Sequence, residues 1–455
     1  MNPSALEFFK TLLGEENLSN DPAVLSTYSY DSTRLEILPS CVLFPRNTQD
    51  IQAIVAYANT HKLPLIPRGA GSGMSGGSIG GGIILAMQKH FRKILHIDPL
   101  NLCVRLQPCV LNSALNSALA PHNLFFPPDP ASASFSSVGG NIAENAGGMC
   151  ALKYGVSKDY LLSAEIVTGG GEILRVGHNT YKDVAGYNLL GLLSGSEGTL
   201  AIFTELTLKL KPKPTYQRSL LLGFESIESL AHCSYTILSK GITPCAMEFL
   251  DTLTTQALNK LKPIYPKNAQ AILIIKLDGN FLPALEYEIE EIRKIAKDFS
   301  PSIFKIAQNA QEEEEIWFGR KNASQANSIY GVKKLNEDIT LPRSCVPNFL
   351  QEAKKIGEKY SLKIPCFGHI GDGNIHTNVF LPSLDLLPIG KDAIKELFSF
   401  ALSLGGTLSG EHGIGISKSE YMPMAFLPQH LELFKNIKHA FDPNNILNPH
   451  KMGLD

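Results

Sequence analysis

Cysteine pairs, long apolar runs and a surplus of either charge are all missing from this 455-residue chain. Its 8 cysteines contain no CxxC spacing, so the polypeptide offers no motif for an iron–sulfur cluster or a zinc ribbon. They read as reduced, mostly buried thiols of a cytoplasmic protein. The opening MNPSALEFFKTLLGEENLSND is amphipathic and carries acids, unlike a signal or transit peptide. No window has the length of apolar run that spans a bilayer, so attachment to the inner face of a membrane would have to come through a partner. Lys plus Arg number 41 against 43 Asp plus Glu, and a net charge of −2 excludes a broad basic field for nucleic acid.

What the chain does have is unevenly placed glycine. Gly69 to Gly82, Gly139 to Gly148, Gly169 to Gly171 and Gly191 to Gly198 are dense with it. Short β-branched runs lie between them, such as CVLFP from Cys41, GIILAM from Gly82, AEIVT from Ala164 and LAIFTELTLKL from Leu200. DIQAIVAYANTHKL has helical periodicity, with Asp50 in the N-cap position. KPKP at 211–214 then breaks the pattern, because proline removes donors and biases its predecessor away from helix. Beyond it, ESIESLAHCSYTILSK, LPALEYEIEEIRKIAKDF and VPNFLQEAKKIGEKY read as amphipathic helices, and ILIIKLDG and KIPCFGHI as strands. EEEE at 312–315 reads as a solvated helix face. The length and this order predict an α+β protein of two or three lobes.

PLIPRGAGSGMSGGSIGG sets a strand before a loop in which several backbone N–H groups can turn toward one phosphate. It is neither a dinucleotide fingerprint opening a long helix nor a P-loop. FFPPDPASASFSSVGGNIAENAGG and SGSEGTLAIFTELTLKL add two further loops of small polar residues. Together these three segments resemble the FAD-binding domain of the vanillyl-alcohol oxidase type. GHIGDGNIH, SGEHGIG and FDPNNILNPHKMG narrow the resemblance to the branch of glycolate oxidase FAD-subunits, D-lactate dehydrogenases and D-2-hydroxyglutarate dehydrogenases.

The resemblance implies a two-lobed FAD-binding domain over 1–214, a substrate or cap domain with an antiparallel sheet over 215–425, and a segment, 426–455, returning to the flavin domain. It places the pyrophosphate on Arg68, Gly69, Ala70, Gly71, Ser72, Gly73, Met74, Gly76 and Gly77. Pro128, Asp129, Ser137, Gly139, Gly140, Asn141, Ala143, Asn145 and Gly147 would line more of the cofactor, Glu197, Gly198 and Ile202 its ribityl and adenosine ends, and Asn448 its ring. The first loop contains no His or Cys, so the flavin is expected to be non-covalent.

In GHIGDGNIHTN, His369 and His376 can converge on one side of a hairpin closed by GDGN. GEHGIG supplies Glu411 and His412. Two imidazoles and a carboxylate suit Zn, Mn or Fe(II) with positions left open. The resemblance makes His369, His376 and Glu411 the metal ligands and His412 the base, acting as the C2 hydride moves to the flavin while the metal polarises the hydroxyl. It also assigns Arg320 to the substrate carboxylate, with Ser324 and Asn378 beside the substrate. Trp317, the single tryptophan, is read as anchoring the Arg320 helix by burial.

Before DITLP the dicarboxylate-oxidising members carry a lysine, whereas this chain has Asn336, with Lys333 and Lys334 upstream. That favours D-lactate or glycolate over D-2-hydroxyglutarate. Electrons would leave to a separate acceptor, whether an iron–sulfur subunit, an electron-transfer flavoprotein, a cytochrome or a quinone, and a homodimer is compatible with the sequence. A metal-dependent hydrolase is the competing class; it accounts for the histidines but not for the three flavin-like loops.

Overall fold

A computed structural model describes residues 2–454. The chain divides into two units: Met1–Gly148, Val156–Lys213 and Glu411–Asp455 form the first, and Met149–Gly155 with Pro214–Gly410 the second. The crossing falls within KPKP, between Lys213 and Pro214. The return occurs at Glu411 rather than at 426, and a short helix, Ala151–Tyr154, belongs to the second unit. Lys153 Nζ and Tyr154 OH hold it there through Asp278, at 2.5 and 2.6 Å.

The first unit has two lobes. In one, Cys41–Leu43, Ile83–Ala86 and Leu65–Arg68 pair in parallel, and Leu18–Ser19 adds an antiparallel edge. The helix Thr48–His61 packs Ile51, Ile54, Val55 and Ala58 into that core. Its cap is Asn47, not Asp50. Asn47 has extended backbone and accepts the Asp50 N–H at 2.9 Å, while the Asp50 carboxylate turns back to Arg46. The other lobe is a five-stranded antiparallel sheet in the order Ile94–Asp98, Cys103–Leu106, Ala201–Lys209, Leu161–Thr168, Ile173–Gly177.

The second unit is built on seven antiparallel strands: β1 (Tyr216–Phe224), β2 (Ala246–Leu250), β3 (Ala271–Gly279), β4 (Ile303–Ile306), β5 (Lys333–Thr340), β6 (Cys366–His369) and β7 (Asn374–Leu381). Their order is β4-β1-β3-β2-β6-β7-β5. Side chains alternate between faces along each strand, so register decides what each face carries. One face buries Leu220, Leu222, Phe249 and Val379. The other carries Leu221, Ile272 and Ile274 at one end and grows polar toward β6, β7 and β5.

The helix Ala310–Ala326 lies on that second face, burying Ile316, Trp317 and Ala323 against the apolar strands. Trp317 also donates from Nε1 to Ser219 Oγ at 2.9 Å, so the anchor is polar as well as apolar. The EEEE run is not wholly solvated: Glu313 meets Ser219 Oγ at 3.1 Å and Lys276 Nζ at 3.3 Å. Among the described residues no helix is long and apolar enough to cross a membrane.

Candidate active site

The first unit encloses a cavity of about 320 Å³. The loop after the strand Leu65–Arg68 forms one wall, contributing Arg68 to Met74 and Gly77. Ser137, Gly139, Gly140, Asn141 and Ala143 form a second wall, and Glu197, Gly198 and Ile202 a third. The three glycine-rich segments thus meet around one space. Ser137 Oγ joins two of them, accepting the Ala70 N–H at 3.4 Å and the Gly140 N–H at 3.3 Å.

Arg68 contributes backbone rather than charge. Its guanidinium donates to Ser78 O at 3.1 Å and Tyr30 O at 2.8 Å, and Gly71, at φ 69°, folds over it. A side chain at Gly71 would strike that guanidinium.

Six expected residues do not line the cavity: Gly76, Pro128, Asp129, Asn145, Gly147 and Asn448. Three of them bond to the segments around it. Pro128 O accepts from Asn112, Asn145 Oδ1 accepts the Lys158 N–H, and Asn448 Nδ2 donates to Gly77 O and Glu197 O at 2.7 Å each. Pro130, Ala131 and Ser132 of the same segment do line it.

The cavity also receives Glu144 and Cys109, which sequence reasoning missed. Burial pushes the Cys109 thiol up to about 12, so it stays protonated. Asn141 Nδ2, Ser78 Oγ and Glu144 Oε2 are buried, line the cavity and have no partner among the described residues. Such orphaned groups fit a polar cofactor. Glu411 and His412 line the same cavity, with His412 Nε2 3.8 Å from Glu411 Oε1.

Glu197 sets the loop after His412. Its carboxylate accepts the N–H groups of Ile414 and Gly415 at 2.7 Å each. Gly413, at φ 81°, passes so close to Glu144 and Glu197 that a Cβ there would collide with both carboxylates. Burial, reinforced by Glu197 and Asp31, pushes the Glu144 carboxyl well up, so Glu144 carries a proton beside Glu197.

The second unit holds the other group of expected residues. His369 ends β6 and His376 lies in β7, and the antiparallel pairing puts His369 opposite Asn374 and His376 opposite Phe367. Both imidazoles therefore share one face, with ring centroids 5.2 Å apart. Behind His369 stands Glu248 of β2, fully buried, with Oε1 2.5 Å from His369 Nδ1. Its Oε2 lies 2.5 Å from Arg320 Nε. Burial alone would raise the Glu248 carboxyl, but the charges and hydrogen bonds of His369 and Arg320 outweigh it and hold it below the usual range.

Asp338 of β5 stands behind His376 at 3.7 Å. Arg320 stacks its guanidinium over Phe367 at 5.2 Å. Its η nitrogens make no hydrogen bond to the described residues. Ser324, one turn further along the helix, accepts from Lys334 Nζ at 3.0 Å. Asn378 Nδ2 is spent on His376 O at 3.1 Å, and its buried Oδ1 has no partner among the described residues. Neither Glu248 nor Asp338 was expected; alternation in AMEFLD and KKLNEDIT could have put both on the histidines' face once the strands were paired.

Two lobes around a glycine-lined cavity, with an antiparallel sheet in the second unit, fit an FAD-linked oxidoreductase. The chain belongs to the FAD-linked oxidases: the model of their C-terminal domain matches residues 213–452, and that of an FAD binding domain matches 39–177. It is 39% identical to a glycolate oxidase subunit GlcD of Bacillus subtilis, over 96% of this chain and 94% of that one. It is 32% identical to a D-lactate dehydrogenase of Anaerostipes hadrus, covering 99% of this chain and 98% of that one. A 4-ethylphenol oxidase of Gulosibacter chungangensis shares the fold, with TM-score 0.80 at 21% identity, over 99% of this chain and 97% of that one.

Proposed function

We propose that this chain oxidises a small D-2-hydroxy acid, with D-lactate or glycolate favoured, to the 2-oxo acid, using dissociable FAD. The observation that carries the reading is Arg320, oriented by a buried carboxylate on the same sheet face as His369 and His376. A planar cation with uncommitted donors suits a carboxylate, and two imidazoles suit a divalent ion. His369, oriented by Glu248 through Nδ1, would be one ligand of that ion. His376 is the second ligand, and the sequence pattern adds Glu411.

When bound, FAD supplies the hydride acceptor and the divalent ion, whether Zn, Mn or Fe(II), supplies a Lewis acid at the hydroxyl. Arg320 grips the carboxylate and sets the acid's orientation, with Ser324 and Asn378 as further polar contacts. His412, a wall of the cofactor cavity, takes the hydroxyl proton. A protonated Cys109 and a first loop without His or Cys support a flavin that is not covalently tethered. The relative in Bacillus subtilis is named as a subunit, and an acceptor outside this chain is proposed here too. The bands of bound flavin should bleach on anaerobic addition of D-lactate or glycolate. A preparation reconstituted with FAD and divalent metal that neither acid bleaches would refute the reading.

One observation favours a longer acid. Lys334 shares the sheet face of Asn336 and reaches Ser324, one helical turn from Arg320. A lysine so placed can meet a distal carboxylate, and D-2-hydroxyglutarate belongs in the same bleaching series.

A further inference from the structure

Two carboxyl groups, Glu144 and Glu197, line the cofactor cavity side by side. Gly413 lies against both, since a Cβ there would meet Glu144 Oε2 and Glu197 Oε1 together. Their surroundings differ. Glu197 accepts the Ile414 and Gly415 N–H groups at 2.7 Å each, and the positive charges of Lys418 and Lys451 act on it. Glu144 Oε2 is buried without a partner among the described residues, and Oε1 lies against Gly77 and Gly73 of the first glycine loop. The charges that act on Glu144 are those of Glu197 and Asp31, both anions. Arg68, the cation of that loop, donates to Ser78 O and Tyr30 O, while Glu411 and His412 line the same cavity. Burial pushes both carboxyls up, but only Glu197 has donors and cations to offset it. The pair therefore holds a proton, and it resides on Glu144.

We infer that this proton is a condition of cofactor binding: FAD occupies the cavity with Glu144 neutral, and a flavin-free protein that has lost the proton must take one up to admit FAD. The inference rests on the dissociable flavin proposed above. FAD brings the negative charges of its pyrophosphate into a space that Glu144 lines. With Glu197 ionised, an ionised Glu144 would add like charge where little water screens it. A neutral carboxyl adds none and keeps an O–H to donate to the cofactor. An anion in the cavity favours the protonated form, so the pair titrates higher with FAD than without it. Affinity is then full from the ordinary 4.5 up to the raised value of the flavin-free pair, and falls as pH rises beyond that value.

The test strips FAD from the full chain and follows its rebinding to wild type and to Glu144→Gln by flavin fluorescence, from pH 4.5 upward. Wild type should lose up to about tenfold in affinity per pH unit beyond the flavin-free value. Glu144→Gln, neutral at every pH, should bind FAD with a flat profile near the wild-type plateau. Calorimetry of wild type on the falling limb, in two buffers of different ionisation heat, should show up to about one proton taken up per FAD bound. That measurement decides the matter if Glu144→Gln loses its fold or its flavin. A level wild-type profile without proton uptake, or a Glu144→Gln profile that falls as wild type does, would overturn the inference and leave FAD binding intact. Flavin that stays attached to denatured protein would overturn the dissociable flavin and the inference with it.

Discussion

Replacing Arg320 by lysine keeps the charge and removes the fork. In the structure Nε is committed to Glu248 at 2.5 Å, and the η nitrogens are left over for a substrate carboxylate. The side chain is only 12% exposed, so little solvent screens it. A lysine offers one ammonium where the guanidinium serves two anions, and the fully buried Glu248 competes for it. The substrate then loses a charge-assisted hydrogen bond, which is typically about 1.5–3 kcal/mol. That corresponds to about 10- to 150-fold in kcat/KM.

The loss should appear mainly in KM, because the carboxylate is bound in both the ground state and the transition state. Steady-state rates with D-lactate, glycolate and a dye acceptor measure it, with flavin content and melting temperature as controls. Arg320→Lys at wild-type KM, or a deficit confined to kcat, would refute the clamp.

Further outcomes follow from the other groups. His412→Ala should lower turnover by about 10²–10⁴-fold while the protein still purifies with its flavin; near-normal turnover removes His412 as base. Glu197→Ala leaves the Ile414 and Gly415 N–H groups without their acceptor and should cost about 1–3 kcal/mol of stability by thermal melting, along with turnover; an unshifted melt contradicts this. Glu144 carries a raised carboxyl pKa, so its contribution to stability is full below the ordinary 4.5 and is lost as pH rises toward the raised value. Glu144→Gln, neutral throughout, should flatten the fall in melting temperature of flavin-free protein as pH rises above 4.5; an unchanged slope assigns the fall to other groups. Chelation should abolish turnover without releasing flavin, and Zn²⁺ or Mn²⁺ should restore it; metal-free protein with full activity refutes the Lewis-acid role.

Much of the fold was legible because its signals are local. β-branched runs such as AEIVT and ILIIKLDG became strands, and LPALEYEIEEIRKIAKDF became the helix Leu282–Lys297. Glycine density marked the cradle because small residues are what line a space for a large ligand. What stayed hidden depends on tertiary approach. Asn47 rather than Asp50 caps its helix, since either residue can start one and only backbone geometry chooses. Glu313 looked solvated within EEEE, but its helix lies on the sheet and turns that one carboxylate to Ser219 and Lys276. Glu144 gave no signal beyond its place in a polar loop, and its burial against Glu197 arises only when Gly413 closes over both.

The carboxylates behind the histidines show why pairing carries more of this site than composition does. Glu248 and Asp338 lie 121 and 38 residues from the histidines they support, by subtraction of 248 from 369 and 338 from 376. Each becomes a neighbour only through the register of one strand pair. A slip of one residue between β2 and β6 would turn Glu248 to the opposite face, among Leu220, Leu273 and Ile275, and would leave His369 and Arg320 without their shared anion. Burying that charge without His369 and Arg320 would cost several kcal/mol, so the polar site itself penalises the wrong register. Apolar alternation selects which face of the sheet is buried. The buried ion pairs then select the register, and in doing so they fix where His369, His376 and Arg320 stand.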